Sequence, residues 1–141
     1  MIDFRKNDQV INIPNAAFSL DSYLDKSETD YINAKDLLDY VPYSIVNNTL
    51  ANFVSKLRHG GVILIGGTNI NYVGEALASG EIDSKQAALM LYGSGLHANT
   101  FKSCCYSPID IKKWLESAGL EITKYIVANE YGKFIVEAVR V

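Results

Sequence analysis

The first 59 residues contain no glycine. That excludes from them the glycine-rich turn through which an α/β protein brings its backbone up to a bound nucleotide. Cysteine is nearly as scarce. The only two, Cys104 and Cys105, are neighbours, and a bridge between adjacent residues is strained, so they read as reduced thiols with no disulfide framework and no metal role. No apolar run approaches the roughly 20 residues a membrane-spanning helix needs. The opening MIDFRKND alternates charged and apolar residues and lacks the apolar stretch of a signal peptide, so a cytoplasmic location without membrane contact is expected. Basic blocks are missing as well: thirteen Lys and Arg are scattered against sixteen Asp and Glu, for a net charge of −3. Recognition of nucleic acid through a basic face is therefore not expected. There is no glycine-lysine phosphate loop and no serine elbow, and His59 and His97 stand apart, so nothing has metal-ligand spacing.

What remains is an ordinary globular composition, 48% hydrophobic and 21% charged over 141 residues, which suits a single domain spanning 1–141 with its own core. QVINIP, residues 9–14, reads as a short strand stopped by Pro14, and DYINA, residues 30–34, as a second, with a loop between them. From Pro42 onward, Ile45, Val46, Leu50, Phe53, Val54 and Leu57 recur at spacings of three and four, the mark of one buried helical face. Lys56, Arg58 and His59 then suit a last turn, and Gly60 a left-handed helix end. Gly61 lets the chain reverse into VILI, residues 62–65, whose continuous apolar run predicts a strand covered on both faces, as in a parallel sheet. The next pair, Gly66 and Gly67, closes that strand at its carboxyl edge, where open α/β sheets bind ligands; plain turn glycines are the competing reading.

NYVGEALASG and SKQAALMLYG predict two short helices closed by Gly80 and Gly93. SGLHANTFKSCCY reads as a long loop without Asp or Glu. Ser107, Pro108 and Asp110 then open a helix that ends at Gly119, and the last 22 residues form two alternating segments around Asn129–Gly132, a β-hairpin signal. This order predicts an α/β fold with a parallel sheet finished by an antiparallel pair.

From Phe18 to Val141 the chain resembles the later part of class I S-adenosylmethionine-dependent methyltransferases. The resemblance rests on FSLDSYLDKSETDYINAKDLLDYVP, on LRHGG running into VILI, on LYG, on LESAGLEI and on the closing hairpin, all in the family's order. It implies a reduced Rossmann-like methyltransferase fold with a mostly parallel sheet and a C-terminal antiparallel hairpin, and S-adenosylmethionine as the cofactor to consider. Asn33, Ala34, Lys35, Asp36 and Gly66 are the implied cofactor-binding positions, against a solvated-loop reading. Leu38, Asp39 and Tyr40 fall where the family has an apolar pair followed by Glu-His. Asp39 is thus a catalytic candidate, although a helix-start carboxylate explains it equally. His97 is a candidate general base against a surface-histidine reading, with Tyr92 and Tyr106 able to line the same crevice.

The chain departs from the family in that the first strand, the glycine turn and the helix after it are absent or unrecognisable in it. The expectation is therefore a methyltransferase-like domain that has lost autonomous S-adenosylmethionine binding and serves as a degenerate enzyme or an interaction module. The alternative is an active transferase acting on an unknown acceptor, its pocket reduced or completed by another subunit; a small-molecule ligand is a partner to consider. Unless residues 9–13 fill the gap, the sheet has an open edge beside DYINA, and a homodimer is expected to cover it.

Overall fold

The computed structural model describes residues 1–15, 17–94 and 101–141. Strand β1 (Ile2–Lys6) turns into β2 (Gln9–Ile13) through Asn7 and Asp8, whose φ values of 52° and 62° are both left-handed. This is the type I′ turn whose twist matches a tight hairpin. β3 (Thr29–Ala34) leads through two 3₁₀ turns, Leu37–Asp39 and Tyr43–Ile45, into helix α1 (Val46–Ser55) and strand β4 (Leu57–Thr68). Helices α2 (Ile70–Ala78) and α3 (Ser84–Tyr92) follow, closed by Gly80 and Gly93 as the sequence predicts. Then come α4 (Pro108–Ser117), β5 (Leu120–Ile126) and β6 (Lys133–Arg140). The strands form one sheet in the order β2-β1-β3-β4-β6-β5.

The expected mostly parallel sheet is not what forms. Among the described strands only β3 and β4 run parallel, joined by the α1 crossover. Every other neighbouring pair is antiparallel. A parallel pair needs a crossover of a dozen or more residues, whereas β1–β2 is joined by a two-residue turn, which permits only the antiparallel sense. The gap beside β3 is filled. β1 pairs there with Asp3 opposite Asn33 and Phe4 opposite Ile32, so the edge strands of the sheet are β2 and β5 and not β3.

The helix from Pro42 also stops earlier than its periodicity predicts. Lys56, expected as a last-turn cation, is instead 5% exposed and reaches back 2.6 Å to Asp21. Leu57 is buried because it already pairs with Thr29 on β3. Thr29 faces Leu57 but Tyr31 faces Val62, so the segment Arg58–Gly61 bulges out of β4. Gly60, at φ 79°, supplies the left-handed residue for this bulge and not for a helix end.

The main core lies on one face of the sheet. Ile2, Phe4, Ile32, Ile63, Ile65, Phe134 and Val136 point there, against Leu50 and Phe53 of α1 and Ile111 and Leu115 of α4. Each fully buried side chain of this size contributes about 1.5–3 kcal/mol relative to exposure. A smaller cluster of Val73, Ala76, Ile82 and Ala87 joins α2 to α3, beyond the carboxyl end of β4.

Candidate functional site

Because β3 and β4 are parallel, their carboxyl ends share one edge, and the turn Leu37–Asp39 folds back over it. The second glycine pair makes this possible. A Cβ on Gly66 would lie 2.6 Å from the Lys35 carbonyl oxygen and against that of Phe134, and one on Gly67 would lie 2.9 Å from Cβ of Leu38. The bare backbone at this edge is thus filled by the protein's own chain.

Asp39 sits at the centre and is fully buried. Its Oδ1 accepts the Thr68 N–H at 2.7 Å, and its carbonyl accepts the N–H groups of Ser103 (2.7 Å) and Cys104 (3.3 Å). Its Oδ2 accepts no well-aligned hydrogen bond, but faces the ammonium groups of Lys102 and Lys133, each at 3.4 Å. Lys133 also reaches Asp36 at 2.6 Å. Lys102 donates to the Met90 carbonyl (2.8 Å) and to Thr68 Oγ1 (3.2 Å). Burial opposes the Lys133 charge, yet the Asp36 and Asp39 carboxylates outweigh it and hold its pKa above the ordinary lysine range. Burial, with Asp39 beside it, pushes the Tyr40 hydroxyl up. Two cations meet two anions here, so the cluster is neutral as a whole. A lysine held charged is neither a base nor a nucleophile at neutral pH.

Of the predicted positions, the structure brings Asp36, Asp39 and Gly66 together. Lys35 is exposed and contributes its carbonyl to the Gly66 contact, Ala34 is buried in the core, and Asn33 stands on the sheet with Oδ1 accepting the Lys35 N–H at 3.4 Å. His97 lies outside the described residues. Tyr92 and Tyr106 do not share a crevice. Tyr92 borders a cavity of about 300 Å³ with Leu91, Lys102, Cys104 and Cys105, where burial raises the Cys105 thiol's pKa away from a reactive thiolate. Tyr106 donates to the Val41 carbonyl at 2.7 Å. It stacks on Tyr43 with ring centroids 6.3 Å apart, beside a groove of about 200 Å³ that includes Trp114. Burial pushes its hydroxyl far up. Among the described residues no three His, Cys, Asp or Glu side chains are placed to hold a metal ion.

Sequence reasoning missed both lysines and Thr68. Lys133 is 97 residues from Asp36, and only the β4–β6 pairing brings it across. Lys102 left one trace, because it lies in the long loop without acidic residues.

No protein-family model matches this sequence, and neither does any curated sequence. Solved structures do match by fold. A family 2 O-methyltransferase from Planctomyces limnophilus in complex with apigenin is 20% identical with a TM-score of 0.55, over 80% of this chain and 30% of its own. The magnesium protoporphyrin IX methyltransferase of Synechocystis with bound SAH is 15% identical with a TM-score of 0.55, over 93% of this chain and 50% of its own. The 1,6-didemethyltoxoflavin N1-methyltransferase of Burkholderia thailandensis, with bound 1,6-didemethyltoxoflavin and S-adenosylhomocysteine, is 12% identical with a TM-score of 0.54, over the same shares. This chain therefore spans a third to a half of the length of these proteins, and what it shares with them is the methyltransferase fold of their corresponding part.

Proposed function

We propose that this chain is a methyltransferase-fold domain that does not bind S-adenosylmethionine by itself and acts as an interaction module, or as an enzyme that has lost its cofactor site. The carrying observation is the direction of β1. Dinucleotide-type ligands bind where parallel strands present carboxyl ends to a glycine turn at a switch in strand order. Beside β3 this chain instead presents the amino end of an antiparallel strand, with Asp3 opposite Asn33. The edge itself supports the same reading. The space a cofactor's backbone contacts would need at Gly66 and Gly67 is taken up by Lys35, Phe134 and Leu38, and the nearby charges satisfy one another. The residues present do not fit S-adenosylmethionine or the S-adenosylhomocysteine bound in two of the neighbours. A cytoplasmic location belongs to this reading.

Calorimetric titration of the 141-residue chain with S-adenosylmethionine and S-adenosylhomocysteine tests it. No heat and no thermal shift are expected up to millimolar ligand. A Kd below about 100 µM, about −5.5 kcal/mol, would overturn the reading in favour of an active transferase with a reduced or subunit-completed pocket.

A further inference from the structure

The second face of the sheet has no helix on it among the described residues. Side chains of paired residues share a face. The register therefore fixes two rows across it. One row reads Asn12, Asp3, Asn33, Leu64, Glu137, Lys124, and the other Val10, Arg5, Tyr31, Val62, Val139, Glu121, with Arg5 beside Tyr31 by its place over that ring. Tyr31, Val62, Leu64 and Val139 are half-buried by their strand neighbours, yet none packs against either buried cluster. An antiparallel sheet with one wet face alternates apolar and polar residues; here the outward positions of β4 are apolar, those of β3 and β6 set Tyr31 and Val139 beside Asn33 and Glu137, and the remaining charges stand on β1 and β5.

We infer that this face stacks on the same face of a second copy, about a two-fold axis running along β4. The order of charges carries the choice of partner. β4 is the middle of the five strands from β1 to β5 in the sheet order, with β2 lying outside β1, so such an axis lays β3 over the partner's β6 and β1 over the partner's β5, keeps each row on itself and leaves β2 beyond the stacked face. In the first row Asp3 then meets a Lys124, and Asn33, whose amide can donate, meets a Glu137. In the second row Arg5 meets a Glu121 and Tyr31 meets a Val139. Leu64 and Val62 meet their own copies on the axis. Every charge at the flanks faces its opposite, the self-complementarity a two-fold interface demands. Arg5 lies over the Tyr31 ring at 5.7 Å and pairs with Asp30 at 3.1 Å. Glu137 accepts from Thr123 at 2.9 Å. These exposed contacts are worth little and leave both groups able to add a partner. The long stems of Arg5 and Lys124 absorb the ~30° by which stacked sheets cross. This surface is separate from the Asp39 cluster, and the inference stands whether or not S-adenosylmethionine binds.

Sedimentation velocity and light scattering of the 141-residue chain between about 1 and 100 µM read the outcome. A mass near twice 15.6 kDa is expected; the single-chain mass throughout that range would overturn the inference. Lys124→Asp and Asp3→Lys, each setting like charges opposite one another, should weaken the dimer about tenfold, and the double variant should restore it to within about threefold. A double variant as weak as the singles rules out this axis. A Leu64→Asp chain that keeps the native circular dichroism and also keeps the dimer mass rules out this face, and would move the contact elsewhere, for example to the β2 edge.

Discussion

Lys133 shows how one side chain ties remote segments together: it bridges Asp36 and Asp39 from a strand near the other end of the chain. Its folded pKa is raised above the ordinary 10.5, so the stability it contributes is full below that pH and is lost as pH climbs past it. Tyr106, also raised, from 10.0, adds in the same direction. The urea midpoint of the wild type is expected to fall between pH 9 and 11.5. Lys133→Met removes one of two cations from a buried carboxylate. It should cost about 2 kcal/mol at pH 8, less than a fully buried pair because Lys102 remains and Lys133 is partly exposed, and its midpoint should then fall less over the same range. A wild-type profile flat to pH 11.5 would contradict this. At this scale the sequence was half legible. Asp39 was picked out because it falls on an acidic position of the family it resembles, while its cationic partners could not be found because nothing local records which distant lysine a fold will deliver.

Three elements meet at Gly66, where the end of β3, the body of β4 and the start of β6 approach backbone to backbone. Gly66→Ala should therefore destabilise by about 3 kcal/mol, since neither carbonyl it would strike can rotate away. Gly74, within α2, has open space where a Cβ would go, and Gly74→Ala should stabilise by up to about 1 kcal/mol. Urea unfolding of the two variants checks the contrast; equal effects would refute the close-approach argument. The elements readable in the sequence were those defined by neighbours. α2, α3, α4 and the β5–β6 hairpin each carried their own cap or turn, such as the Asp83–Gln86 capping box and Asn129, whose side chain accepts from Tyr131 and Lys133. β1 was hidden in MIDFRKND, although Ile2 and Phe4 alternate and Asn7-Asp8 is good type I′ chemistry; a five-residue strand carrying charges on its outward positions leaves only a short apolar signal. The end of α1 was misplaced for another reason. Leu57 fits both a helical period and a buried strand, and the pairing with Thr29 that decides between them is invisible to periodicity.

As a whole, the six strands share one sheet and one main core, which makes a single folding unit over 1–141 the natural proposal. Calorimetry should give one transition with an enthalpy near 100 kcal/mol, at about 0.7 kcal/mol per residue, and a midpoint that rises with protein concentration if copies stack. Two resolved peaks would argue for separate units. The fold class and chain order were legible because each β–helix–β segment announces itself, whereas the sense of the first strands depends on a partner chosen in space. That sense also bears on assembly. A two-residue turn lets β1 and β2 zip within microseconds, while β3 and β4 must first close the loop that carries α1, an entropic cost that grows with its length. By the same scaling the longest closure is the pairing of β6 with β4, whose intervening chain runs from Asn69 to Gly132, so the search that limits how fast this protein reaches its native state falls there and not on the short turn of the amino-terminal ribbon.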